Sequence, residues 1–230
     1  MNTLAAAGIS HVYHITPLHY VALIAQSGCL MSKQGLLDAG MPRNHMRPST
    51  YQEDMQTGFA DVVHLSTDAY PERLHTVLGG GFPHVRLTIP TQRIDEEQLA
   101  LCRYHLCRGQ ETMRQSDVDG HVVPPFRIPV ATTPFEKKGM LRAYGKGPLE
   151  VLVRELLPLS DDTELTVFSL ADQTPTVTAL KRVGRRWQVR VEDSGTVRYT
   201  VGSQVRKHCV DFLNRTATGT NPGPDRPKFE

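Results

Sequence analysis

The stretch GPLEVLV at 147–153 sets a carboxylate at the head of an apolar, β-branched run. In a strand, Glu150 shares a face with Leu152, while Leu149, Val151 and Val153 take the other. An ionised carboxylate in such company is costly to bury without a partner or a task. Glu150 therefore either points to water from an edge strand or does chemistry, stabilising positive charge and accepting a proton. Glu155, in the same segment, is the competing carboxylate. Near the start of the chain, His14 and Thr16 stand in VYHITP at alternate positions and share a face, with Tyr13 and Ile15 on the other. That pair is either satisfied within the fold or turned toward a ligand. Arg43, His45 and Arg47 lie in a stretch, 34–60, without sustained periodicity. Loop arginines are commonly solvated, and an arginine fork also suits a diphosphate or a ribose.

The elements that must position these groups are readable in outline. Val12 to Thr16 favours a strand that Pro17 ends. Leu18, Val21, Ala22, Ile24 and Ala25 then recur at helical spacing, and Gly28 suits the left-handed residue that closes a helix. Residues 61–68, DVVHLSTD, alternate as a strand: Val63, Leu65 and Thr67 against Val62, His64 and Ser66. Asp68 to Pro71 turns toward a short helix, with Tyr70 inside the turn. Gly79-Gly80-Gly81 is a turn and not a phosphate loop, because no Gly-Lys-Ser/Thr follows. PHVRLTIP at 83–90 is a further strand, and DEEQLALCRYHLCR at 95–108 reads as a helix, acidic at its start and basic at its end. Residues 109–145 are poor in order signals. There Phe126, Arg127, Phe135, Lys137, Lys138, Arg142 and Tyr144 interleave aromatics with cations, which suits a splayed base beside a phosphate and equally an ordinary surface loop. Trp187, Val189 and Val191 alternate with Arg186, Gln188 and Arg190 ahead of an Asp193-Ser194-Gly195 turn, the pattern of a hairpin. From Lys181 to Arg215 nine basic residues face three acidic ones, either a solvated sheet surface or a phosphate-binding row. The last stretch, 216–230, is rich in Gly, Pro and Thr and reads as a loosely ordered tail.

Composition sets the bounds. At 230 residues and 39% hydrophobic content the chain can bury a sizeable core. A net charge of +2 gives no global basic field, so a nucleic-acid partner would have to meet a local patch. MNTLAAAGIS lacks the features of a signal peptide, and no apolar run is long enough to span a bilayer, which predicts a cytoplasmic protein that does not engage a membrane. The four cysteines form no C-x-x-C ribbon, and Cys102, His105 and Cys107 lack a second ligand pair, so no metal is expected. Strands and short helices do not alternate as βαβ units, and the class is α+β.

YHIT, a short helix and SGCL, followed much later by LEVLVRELLPLSDDTELTVFS, resemble DarT-type ADP-ribosyltransferases, toxins that transfer ADP-ribose from NAD to bases of nucleic acid. The resemblance spans roughly residues 11–170. It implies an ADP-ribosyltransferase-like fold: two packed β-sheets with short helices around an NAD cleft. It implies Glu150 and Arg47 as the catalytic pair, with Arg43 the second choice for the loop arginine. NAD, the co-substrate, would be held by His14, Ile15, Thr16, Leu23, Leu30, Arg43, Arg47, Ser66 and Tyr70. Nucleic acid, single-stranded DNA before RNA, would meet Arg127, Lys137, Lys138, Arg142 and Tyr144. An antitoxin that removes ADP-ribose is the implied partner, in a toxin–antitoxin or phage-defence setting. The expected organisation is a transferase domain over 1–173, a basic extension over 174–215 and the tail over 216–230. Two rivals stand beside this reading: an NAD-using transferase with RNA or protein as acceptor, and a non-catalytic nucleic-acid-binding module built on the basic 181–215 segment.

Overall fold

A computed structural model describes residues 2–40, 59–69, 84–102, 130–144, 149–168, 178, 181–182 and 187–192. In chain order the described elements are α1 (Thr3–Ala6), β1 (His11–Pro17), α2 (Val21–Ser27), β2 (Cys29–Met31), α3 (Lys33–Asp38), β3 (Val62–Ser66) and β4 (His84–Pro90). They continue with β5 (Leu99–Cys102), β6 (Val130–Ala131), α4 (Pro134–Tyr144), β7 (Glu150–Arg154), β8 (Leu156–Pro158), β9 (Glu164–Phe168) and β10 (Gln188–Glu192). The class is α+β. Two compact units share the chain: Met1–Val12, Leu30–Ala69 and Pro90–Pro158 form the first, and Tyr13–Cys29, Tyr70–Ile89 and Leu159–Glu230 the second. The division expected near residue 173 and the tail at 216–230 lie outside the described residues.

The first unit is built on antiparallel strands in the order β3-β7-β5-β6. In this register Val151 pairs with Leu65 on one side and Leu101 on the other, and Val153 with Val63 and Leu99. All six are at most 3% exposed and form a closed apolar face. Alternation puts Val62, His64, Ser66, Ala100, Cys102, Glu150 and Leu152 on the opposite face. There Cys102 and Leu152 are buried, with Phe59, Val62, Ala100 and Val130 half-buried against them. β7 ends at Arg154, and Glu155 after it is an exposed residue with φ 60°. Its N–H donates to the Asp61 carbonyl at 2.6 Å and its carbonyl accepts from the Ser32 N–H at 2.7 Å. These backbone bonds offset the cost of a left-handed non-glycine, about 1–2 kcal/mol, and explain a corner here. β8 then pairs with β2.

Two helices lie where no order was expected. Ser32 caps α3, its Oγ accepting from the Gly35 N–H at 3.0 Å. α4 begins with a reciprocal capping box: the Glu136 N–H donates to Thr133 Oγ1 at 3.3 Å, and the Thr133 N–H to Glu136 Oε2 at 3.0 Å. Pro134 fills the first helical position, where its missing N–H costs nothing. A third expectation is overturned. Leu99–Cys102, read as part of a helix, is strand β5, inserted between β7 and β6. Leu-Ala-Leu-Cys favours helix locally, and the ladder and the buried face on offer outweigh that preference.

The second unit orders its strands β10-β9-β4-β1. β4 and β9 are antiparallel, with Val85 opposite Val167 and Leu87 opposite Leu165, all buried. β10 runs parallel to β9, and Trp187 just before it is buried. The other arm of the hairpin expected beyond Asp193 lies outside the described residues. α2 ends on Gly28 at φ 70°, the left-handed closure expected.

Candidate active site

Glu150 opens β7. Immediately before it, Leu149 is clamped to the end of β3: its N–H donates to Thr67 Oγ1 at 2.8 Å and its carbonyl accepts from the Thr67 N–H at 3.0 Å. That clamp fixes the register in which Ser66 stands opposite Glu150 on one neighbouring strand and Cys102 on the other. The Glu150 side chain is 4% exposed. Burial at that level is several kcal/mol unfavourable for a lone carboxylate, and a partner is present. His64 Nδ1 lies 2.9 Å from Glu150 Oε1, and the ring's other nitrogen faces the Phe59 carbonyl at 3.4 Å. His64 pairs in register with Leu152, one step along the same face, which is the diagonal relation that lets a long side chain reach across. The first unit thus has one sealed face and one half-open face, and the half-open face carries the buried carboxylate.

Of the expected residues, the first unit brings Ser66 and Glu150 together; Ser66 Oγ accepts from the Asp68 N–H at 3.0 Å. Leu30 is in the same unit and 4% exposed, a core residue of β2. His14, Ile15, Thr16 and Leu23 belong to the second unit, where Thr16 is buried and the other three are half-buried. The Arg86 guanidinium lies 5.4 Å from the centre of the Tyr13 ring. Tyr13 therefore turns toward Arg86, and alternation sends His14 and Thr16 to the other side of β1. Arg43, Arg47, Tyr70 and Arg127 lie outside the described residues. Lys138 and Arg142 are exposed on α4, and Tyr144 is its last residue.

Lys137 is a correction. Its side chain is 1% exposed, and its ammonium donates to the Glu96 carbonyl at 2.9 Å and the Leu99 carbonyl at 3.0 Å while pairing with the Glu96 carboxylate. All three protons are used inside the unit, so no phosphate can claim them. Glu96 also accepts from the Thr3 N–H and hydroxyl at 2.7 and 2.8 Å. Burial raises its pKa, and the bonds from Lys137 and Thr3 outweigh burial and hold it below the ordinary carboxylate value.

The sequence reading missed His64 as a site residue. The signal was present in the alternation of 61–68, which puts His64 and Ser66 on one face, but the partner strand had to be known before that face acquired a carboxylate. Glu155, the competing carboxylate, is exposed and serves the chain through its backbone. Of Cys102, His105 and Cys107 only Cys102 is described, and it is buried. Among the described residues no three metal-ligating side chains converge, and no helix is long and apolar enough to cross a membrane.

No family model and no curated protein sequence matches the chain. Solved structures do. Thermus sp. 2.9 DarT in complex with ADP-ribosylated ssDNA aligns with a TM-score of 0.52 at 13% identity, covering 80% of this chain and 95% of that one. The same protein in complex with carba-NAD+ gives 0.51 at 15% identity, with the same coverage. The chain has a DarT-like fold. At such low identity the likeness concerns the path of the backbone.

Proposed function

We propose that this chain is an NAD-dependent ADP-ribosyltransferase that modifies a base of nucleic acid, single-stranded DNA first. The observation that carries the reading is Glu150: a carboxylate held almost fully buried at the head of a strand, on the half-open face of its sheet, in a chain with a DarT-like fold. Thermus sp. 2.9 DarT has been solved in complex with NAD+ and with ADP-ribosylated ssDNA, and that supports the choice of co-substrate and acceptor. NAD would supply the ADP-ribosyl group, with nicotinamide as the leaving group. Glu150 would stabilise the positive charge that develops at the sugar carbon and accept the proton lost by the attacking ring nitrogen or amine. In the second unit, Thr16 and His14 would offer hydrogen bonds to NAD. Arg47, with Arg43 as the alternative, would meet its diphosphate, for which a planar guanidinium is well shaped. Lys138 and Arg142, exposed on α4, would contact phosphates of the acceptor strand, helped by Arg127 and Tyr144.

The wider setting belongs to the same proposal: a cytoplasmic toxin whose partner antitoxin removes ADP-ribose, with residues 1–173 as the transferase domain and 174–215 as a basic extension of it. Incubation with labelled NAD and separate pools of single-stranded DNA, duplex DNA, RNA and protein tests the reading. Label in single-stranded DNA, lost in Glu150→Gln, is the expected result. Label in RNA or protein keeps the transferase and changes the acceptor. Nucleic-acid binding that ignores both NAD and Glu150, with no label anywhere, returns the chain to a binding module.

A further inference from the structure

We propose that His64 is a positioning residue for the transfer reaction, holding the Glu150 carboxylate in its working orientation through an Nδ1–H···Oε1 bond. The inference rests on the reading of Glu150 given above. Its basis is geometric. A glutamate has three side-chain torsions, and a carboxylate that must meet a developing charge has to keep one rotamer. The 2.9 Å contact from His64 Nδ1 fixes one oxygen, and an ionised carboxylate only accepts, so Nδ1 carries the proton. The ring is itself held. β3 places it opposite Leu152, on the diagonal from Glu150. The histidine side chain is 21% exposed against 4% for the glutamate, so the ring shields the carboxylate on the one face of this sheet that is not sealed. A hydrogen bond to an ionised group in this setting is shorter and stronger than a neutral one. His64 donates throughout. The proton released by the attacking base goes to Glu150, and the histidine has no need to touch substrate.

The arrangement differs from a bond that merely satisfies a buried histidine. A satisfied core histidine could donate to any carbonyl, and the Phe59 carbonyl lies 3.4 Å from the same ring, yet the shorter contact is to the carboxylate. Nδ1 is spent on Glu150, the one carboxylate that the described strands β3, β5 and β7 place on the half-open face.

Three variants separate the possibilities, each assayed for steady-state transfer from NAD to single-stranded DNA and each checked for folding by urea titration. His64→Leu is expected to lower kcat about 100-fold, the scale of a misplaced catalytic group, with KM for NAD within about twofold of wild type. His64→Asn puts an amide N–H close to where the Nδ1–H stands, and kcat is expected to recover to within about tenfold of wild type. Glu150→Gln sets the floor. A His64→Leu enzyme with wild-type kcat overturns the proposal. So does a raised KM with unchanged kcat, which would make His64 a binding residue, and so does an Asn variant as slow as the Leu variant. Loss of transfer in Glu150→Gln with no effect at His64 sinks this inference alone. A wild-type protein that labels no acceptor sinks it together with the transferase reading.

Discussion

Among the described residues of the first unit, Glu96 meets Lys137 and Glu150 meets His64, and the two pairs are built for opposite ends. Glu96 and Lys137 are closed on themselves: the lysine gives its protons to Glu96 and to the carbonyls of Glu96 and Leu99, and the glutamate takes both polar groups of Thr3. The pair ties α1, β5 and α4 together. Glu150 and His64 lie on a half-open sheet face, and the partner is an imidazole that donates from Nδ1 without needing a charge. A pair that is meant only to hold a fold gains from a permanent cation and full saturation. A pair that must receive charge or protons gains from a partner that orients without neutralising. The difference teaches that a paired carboxylate says little by itself, and that its burial, the identity of the partner and the openness of the face decide what it is for.

The largest expected effect breaks the second pair. Glu150→Gln keeps the shape and removes the charge, and transfer is expected to fall by about a thousandfold or more, the scale of a lost electrostatic stabiliser. Its urea midpoint is expected to stay at or above that of wild type, because a buried charge has been removed with its volume kept. A variant that unfolds while the remaining folded fraction transfers normally would make Glu150 a structural residue and erase the contrast with Glu96.

Lys137→Met attacks the first pair, and the expectations invert. The aliphatic volume stays, but the Glu96 carboxylate loses its cation and two carbonyls lose their donor. Glu96 is half-exposed, so the main loss is the donor to the two carbonyls, which costs about 1–3 kcal/mol, read as a lower urea midpoint. Transfer per folded molecule is expected to be unchanged. If the variant is stable but binds single-stranded DNA less tightly, Lys137 returns to the nucleic-acid set.

These two lysine–glutamate and histidine–glutamate pairs also mark how far the sequence could be read. The strand from Val12, the stop at Pro17, the helix and the Gly28 closure were legible because each rests on local rules of alternation, punctuation and left-handed φ. Glu150 was legible because its neighbours are apolar. The partners were not, since His64 and Glu150 are 86 residues apart and Lys137 and Glu96 are 41 apart. A lysine beside another lysine reads as surface until a strand arrives beneath it. β5 was misread for a related reason: an acidic start ahead of Leu-Ala-Leu-Cys imitates a helix, and the ladder with β7 that decides otherwise is nonlocal. α4 was there to be found, because Thr133-Pro134-Phe135-Glu136 is a capping box with proline in first place. Thr133→Ala is expected to cost about 1 kcal/mol, one step smaller than Lys137→Met on the same helix.

The smallest effect sharpens the comparison through pH. Burial raises the pKa of Glu96, yet the bonds from Lys137 and Thr3 bring it below the ordinary value of 4.5. A carboxylate whose folded pKa is depressed contributes stability that is fully present above its unfolded pKa and disappears as pH falls through the folded one. The wild type should therefore lose stability on acidification from about pH 5 downward, and Glu96→Gln, less stable at neutral pH, should lose less over the same range. The measurement is the urea midpoint of both proteins at several acidic pH values. Glu136 is shifted the same way, first by the N–H of Thr133 and then by that of Thr132, so Glu136→Gln serves as the second arm. If Glu96→Gln keeps the full acid slope and Glu136→Gln removes it, the cap of α4 and not the saturated pair carries the acid sensitivity of this unit. Lys137 would then hold Glu96 in place without drawing on its charge.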